Sequence, residues 1–325
     1  MRSHELWATS LAMACVLLAS TTLAQTESSL SRRLRDNNPV ERAKAACEAR
    51  KLGDEARPLM PPLVAMLSDD AHVPADVCGD WGRWMSDSGA PPATPGEKAA
   101  AALVAIGSAA YDSLVGALRE PRWHARKNAA WALGALDDAR AVEPLISALR
   151  DSEPAVRRNA AWALGAIDDD KAVLPLVDAL RDTDANTRSQ AAWALGAIDD
   201  PRAVKGLVAS LKDPDPDTRS QAAWALGAID SDDGVPGLVA ALGDHAAGVR
   251  AQAAWALGAI DDARAVEGLS RALHEDRDPK VRSQAAWALG AIGDDRGSTA
   301  LVAALKDTDV KVRRQAAWAL GAIQH

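Results

Sequence analysis

The sequence predicts an all-α fold, an α-α solenoid of about nine helix pairs, on three observations. The phrase Ala-Ala-Trp-Ala-Leu-Gly-Ala-(Ile/Leu) recurs around Trp131, Trp162, Trp193, Trp224, Trp255, Trp287 and Trp318, at spacings of 31, 31, 31, 31, 32 and 31 residues. Self-similarity at a fixed period of this length marks a stacked repeat architecture. Each period also carries a second apolar stretch, in which Val142, Leu145, Ile146 and Leu149 fall at i, i+3, i+4 and i+7, the stripe of one helix face. The 325 residues are 48% hydrophobic with 11 Trp, 1 Tyr and no Phe. Such a core is built from Ala, Leu, Val and Ile, which suits closely packed helices.

In chain order, residues 1–24 read as a signal peptide. Arg2 supplies positive charge, Leu11 to Ala19 is an apolar run too short for a membrane span, and Thr22-Leu23-Ala24 is a small-residue cleavage site. Cleavage removes Arg2 and Glu5, one charge of each sign, and leaves the net charge at −8. The expected mature chain, residues 25–325, is exported to the periplasm or secreted and has no membrane span. Its charge repels nucleic acid and anionic lipid. Cys47 and Cys78 remain after cleavage, and in an oxidising compartment an even pair usually forms a disulfide, two free thiols being the alternative. The bridge would close a loop of about 30 residues and contribute roughly 3 kcal/mol through chain entropy.

The repeat frame reaches back to the first helices. Asp36 and Arg42 followed by Ala45-Ala46-Cys47 match Asp151 and Arg157 followed by Ala160-Ala161-Trp162, so Cys47 stands where later repeats carry Trp. Lys98 to Ile106 reads as the second helix of a pair, with Ala101 at the Trp position, and Ala109 to Leu118 as the first helix of the next. Ahead of Lys98, residues 68–97 hold Cys78, Trp81, Trp84 and a Pro/Gly-rich stretch, too polar and too punctuated for repeat helices, and are expected as a loop insertion. In the later repeats Asp137-Asp138, Asp168-Asp169 and Asp199-Asp200 precede the second apolar stretch and suit a helix N-terminus. Two helices of about 10–14 residues fill each period, and the extra residue of the 32-residue unit falls in the turn from His274 to Asp278.

The unit resembles the HEAT repeat of the phycobilisome-lyase-like type and is similar to the consensus of designed HEAT arrays. Val156-Arg157, Ala160-Ala161, Ala163-Leu164-Gly165, Ala141-Val142 and Pro144-Leu145 carry the resemblance, which covers roughly residues 28–323 apart from the insertion. It implies antiparallel helix pairs stacked into a right-handed superhelix, the second helix of each pair lining a concave face. It also implies that each acid-and-arginine pair six apart, such as Asp151 and Arg157 or Asp276 and Arg282, belongs to an inter-repeat ladder. Arrays of this kind chiefly bind proteins.

At 100° per residue, Val156, Ala160, Ala163, Leu164 and Ile167 form one apolar arc, while Trp162 points about 160° away from Leu164. Seven such Trp, with Asn128, Asn159, Gln190, Gln221, Gln252, Gln284 and Gln315 beside them, would line one groove. With packed helices 8–10 Å apart the stripe runs roughly 50–60 Å. Trp is the side chain most enriched at binding hot spots, and a Trp and amide stripe combines apolar area with hydrogen-bonding groups. Against this stands a structural reading, in which the indoles recur by duplication and bury one another. If Cys47 bonds Cys78, the insertion is anchored on the same side, with Trp81 and Trp84 as a lid.

Function reads as a non-catalytic scaffold for a protein or peptide. The alternatives are a carbohydrate-binding module, since sugar C–H faces stack on indoles, and a lyase or oxidoreductase by family resemblance alone. Deoxyhypusine hydroxylase, of similar architecture, holds two irons with several His-Glu pairs, whereas beyond the signal this chain has only His274-Glu275. His72, His124 and His245 lack an adjacent Glu, no nucleophile elbow, zinc helix or phosphate loop is present, and no metal or cofactor is expected. The last repeat, ending Ile323-Gln324-His325, has no polar capping helix, which leaves a surface for self-association.

Overall fold

A computed structural model describes residues 27–78 and 93–323. Residues 1–24, read from the sequence as a signal peptide, and Trp81 and Trp84, read as a lid, lie outside the described residues. Among the described residues the secondary structure is helical apart from an isolated bridge between Val73 and Ala93. The chain divides into two compact units, the first ending at Ala141 and the second beginning at Val142.

The first unit holds α1 (27–33), α2 (Pro39–Leu52), α3 (Met60–Met66), α4 (Pro95–Ile106), α5 (Tyr111–Ala117) and α6 (Trp123–Leu136). The long helices α2, α4 and α6 pack in succession, with α3 against α4 and α5 against α6. The second unit continues with α7 (Val142–Ala148), α8 (Pro154–Ile167), α9 (Val173–Ala179), α10 (Ala185–Ile198), α11 (Val204–Ser210) and α12 (Pro216–Ala228). It ends with α13 (Val235–Ala241), α14 (Ala247–Ile260), α15 (Val266–Glu275), α16 (Pro279–Ile292), α17 (Ser298–Ala304) and α18 (Val310–Ile323). Within this unit each even-numbered long helix packs on the next, and each odd-numbered short helix packs on the long helix that follows it. The result is two layers, with the core between them, as the apolar arc requires: Val156, Ala160, Ala163 and Leu164 are fully buried.

The turns follow from local chemistry. Several long helices start at residues whose side chains accept the orphan backbone N–H groups, as Asp184 does from Thr187 and Asp215 from Thr218, often with Pro in the first turn. α6, α8, α10, α14 and α16 end in the left-handed region, at Asp137, Asp168, Asp199, Asp261 and Gly293. Asp tolerates that conformation better than bulky or β-branched residues. The second Asp of each pair then accepts the N–H two residues on, as Asp200 does from Arg202, and opens a single 3₁₀ turn. That turn uses up residues, so the short helices have seven α-helical residues, fewer than the sequence suggested. The 32-residue unit differs too. Its extra residue lengthens α15 through His274 and Glu275 instead of enlarging the turn.

The insertion is shorter at its end than expected. Thr94 and Glu97 form a reciprocal capping box with Pro95 in the first turn, which starts α4 three residues before Lys98. Its described part folds back on α2, where Val73 and Ala93 join Ala43 in a small apolar cluster flanked by Val40 and Val77. Cys47 and Cys78 are bonded, with Cα atoms 5.6 Å apart. The stretch Pro95–Ala117 is long and apolar enough to cross a membrane, but it turns at Gly107 (φ 81°) into α4 and α5, and α4 packs between α2 and α6.

Candidate functional site

The indoles of the second unit occupy a repeated seat. Each long helix carries Gly three residues after its Trp, and the following helix comes in over it. A Cβ on Gly165 would lie 2.7 Å from the Ala194 Cα and 3.0 Å from the Trp193 Cζ3. The same holds for Gly196 under Ala225 and Trp224, Gly227 under Ala256 and Trp255, Gly258 under Ala288 and Trp287, and Gly290 under Ala319 and Trp318. The missing side chain lets the backbones approach and leaves a slot for one edge of the next indole. Trp193, Trp224, Trp255 and Trp287 are consequently half-buried, whereas Trp318 is 50% exposed; Trp162, on α8, is half-buried. Trp131 sits in the first unit on α6 and is also half-buried.

Each of these indoles is therefore partly packed and partly exposed. Gln190, Gln221, Gln252, Gln284 and Gln315 flank the rings and are partly exposed, as is Asn159. Asn128 does not belong with them. It is 3% exposed and donates from Nδ2 to the Leu67 carbonyl at 2.9 Å, across the place that Gly96 leaves open at the start of α4.

Four of the sequence-selected side chains converge. Trp224, Gln252, Trp255 and Gln284, with Gly248, Ala251 and Lys280, line a recess of about 290 Å³ across α12, α14 and α16. Gly248 and Ala251 lie seven and four residues before Trp255, where α10 has Asn186 and Ser189 and α16 has Lys280 and Ser283. The recess exists where the outward face loses its side chains, a departure from the repeat that is readable in the sequence. A larger cavity, about 640 Å³, opens in the short-helix layer between α13 and α15, with Leu242, Arg271 and Glu275 among its walls. None of the groove or lid residues expected from the sequence lines it.

The acid-and-arginine ladder is formed, with a division of labour the spacing did not reveal. Arg157 donates from Nη1 to the backbone carbonyl of Asp151, six residues back, at 2.9 Å. Its Nε and Nη2 grip the carboxylate of Asp182 in the next repeat, both at 2.6 Å. Asp182 also accepts the Asp184 N–H. The unit repeats as Arg188 on Asp213, Arg219 on Asp244, Arg250 on Asp276 and Arg282 on Asp307. In the first unit Arg42 reaches Asp69 in the same way. Burial works to raise the Asp182, Asp213, Asp244 and Asp276 pKa values, but the guanidinium and backbone hydrogen bonds outweigh it and hold them below the usual carboxylate range.

The insertion covers α2 where later helices carry the Trp face. Val40, Ala43 and Cys47 take the places of Ala155, Arg158 and Trp162, an apolar substitution that lets the excursion pack there. His124 stacks on Trp123 with ring centroids 3.6 Å apart, its Nε2 3.5 Å from an Asp70 oxygen. Among the described residues, no three of His, Cys, Asp or Glu converge as a metal-binding group. Val302 on α17 and Leu305 just after it are exposed, at the positions by which Val239 and Leu242 pack beside Gly268.

Comparison with known proteins agrees with this architecture. Residues 91–152, 142–214, 204–279 and 266–325 match the profile of HEAT repeats. Among solved structures, the E. coli protein YibA is 21% identical, with 86% of this chain and 95% of that one covered at a TM-score of 0.60. An engineered protein is 24% identical over 92% and 89% of the two chains, at a TM-score of 0.52. The complex of CpcE and CpcF of phycocyanin lyase from Nostoc is 24% identical over 75% and 99%, at 0.45. No curated protein matches the sequence.

Proposed function

The chain belongs to the HEAT-repeat family, and from that premise we propose that it is an exported, non-catalytic scaffold binding a protein or peptide along the Trp-bearing face of its long helices. The observation that carries this reading is the recess of about 290 Å³ bounded by Trp224 and Trp255. Its walls offer indole faces, two amides and one ammonium, and no carboxylate, His, Ser or Cys. Such a lining suits recognition, where aromatic anchors and adaptable polar groups give affinity, better than acid-base or nucleophilic chemistry. Export is supported by the leader pattern of residues 1–24 and by the bonded pair Cys47 and Cys78.

Because each indole also fills a packing slot, the face is best tested by adding bulk and not by removing Trp. The mature protein, Gln252→Trp and, as a control on the short-helix layer, Leu174→Trp (Leu174 is 59% exposed) are used to capture partners from envelope extract, with bound species identified by mass spectrometry. Capture by wild type and Leu174→Trp, lost in Gln252→Trp, is the expected result. Equal capture by all three moves the binding surface off this face, and retention of soluble oligosaccharides alone replaces the protein reading with the glycan one.

A further inference from the structure

We infer that the segment bound on this face is an acidic, extended peptide, one of whose carboxylate side chains seats in the recess beside Lys280. The inference rests on the reading of the Trp face as a peptide-binding surface and adds the chemistry of what is bound.

The charge distribution carries it. Residues seven and four positions before each Trp share the outward face with the indole, as the recess lining shows for Gly248, Ala251 and Lys280. At those positions in the second unit the charged residues are Arg158, Lys280, Lys311 and Arg314 against Asp217 alone. The chain as a whole carries −8, so its acidic side chains are concentrated elsewhere. Among the described residues none of these four cations has an ion-pair partner, whereas Arg157, Arg188, Arg219, Arg250 and Arg282 are each tied to an Asp. A cationic face with unspent charge on an anionic protein complements an anionic partner and repels a cationic one.

The recess supplies the specific seat. Lys280 is exposed at its rim and can only donate, as can the indole N–H groups, while Gln252 and Gln284 add amide donors. A carboxylate, which only accepts, matches that set. The volume is available because α14 presents Gly248, whose Cβ would meet nothing within 4 Å, where the next repeat presents Lys280. The flanking indoles Trp224 and Trp255 then take the apolar parts of neighbouring residues on the same peptide.

A random peptide library displayed on phage is selected on the full mature protein, and a synthetic copy of the enriched sequence is titrated against wild type, Lys280→Glu, Gly248→Leu and Gln252→Trp. Enriched sequences carry an excess of Asp and Glu. Lys280→Glu weakens the peptide about tenfold, and changing the peptide's Glu to Gln weakens wild type by a similar factor but leaves Lys280→Glu almost unmoved. Gly248→Leu fills the recess and removes binding without lowering the melting temperature. Enriched peptides with no acidic excess, or unchanged affinity in Lys280→Glu or Gly248→Leu while Gln252→Trp loses it, overturn the inference and leave the peptide reading standing. No enrichment of any sequence overturns both.

Discussion

Trp193 lays the Cζ3 edge of its indole against Gly165 of the preceding long helix, in a slot that a single added methyl group at Gly165 would invade. The same glycine admits Ala194 so closely that its backbone, and not only a movable side chain, would meet that methyl. The Trp-to-Gly relation therefore sets the spacing of the long-helix layer and leaves the opposite edge of each ring for solvent or a partner.

Helix propensity and packing give opposite signs at these glycines. Gly→Ala in a helix interior gains about 1 kcal/mol where space is free. At Gly196, where a Cβ would lie 2.7 Å from both the Ala225 Cα and the Trp224 Cζ3, overpacking costs about 1–3 kcal/mol. Thermal melts should show Gly196→Ala below wild type and Gly116→Ala, whose Cβ meets nothing within 4 Å, at or above it.

Arg219 ties two repeats together, with Asp244 on its Nε and Nη2 and the carbonyls of Asp213 and Pro214 on Nη1. Both charged side chains are largely buried, at 14% and 11% exposed. Arg219→Ala strands the carboxylate and is expected to cost about 3 kcal/mol in denaturant unfolding. Arg219→Lys recovers only part of it, because one ammonium cannot replace the fork. Full recovery by Lys would show that charge alone, without geometry, aligns the repeats.

Acid should loosen the array from the ladder outward. The folded pKa values of Asp182, Asp213, Asp244 and Asp276 are lowered, and that of Asp294 falls to about 2, chiefly through its hydrogen bond from Arg296. An unfolded Asp titrates near 3.9, at about model-peptide value. Stability from a depressed carboxylate is complete above the unfolded pKa and is lost as pH falls through the folded one. The melting temperature should hold level down to about pH 5 and drop steadily below about pH 4. A level profile down to about pH 2 would remove the ladder from the stability account.

The bridge between Cys47 and Cys78 spans 31 residues. Replacing both with Ser should lower stability by roughly 3 kcal/mol and raise proteolytic nicking within the insertion, measured by limited proteolysis. The fold of the second unit, read from helical content, should persist.

Much of this was legible in the sequence because repetition averages away local ambiguity. The apolar arc of Val156, Ala160 and Leu164 identified the buried face, and the resemblance to HEAT arrays pointed to a ladder built on pairs such as Asp151 and Arg157. Its direction was not legible, since the carboxylate that Arg157 grips belongs to Asp182, one repeat on. Nor was the seat of Trp193 on Gly165, because helix periodicity orients a side chain without giving the distance to the next helix. The first Asp of each pair read as part of a helix start, yet Asp168 and Asp199 close the preceding helix in the left-handed region. Asn128 misled for a similar reason: its repeat position is that of Asn159, but Gly96 and the insertion bring the Leu67 carbonyl over it.

The central claim is that the Trp-bearing face is an interaction surface, and site-specific photo-crosslinking in intact cells tests it most directly. A photoreactive amino acid placed at Gln252, beside the recess, should give a discrete higher-mass adduct that is absent when the same residue is placed at Leu174 on the short-helix layer. Adducts from Leu174 and none from Gln252 would contradict the account and reduce the indoles to spacers between helices.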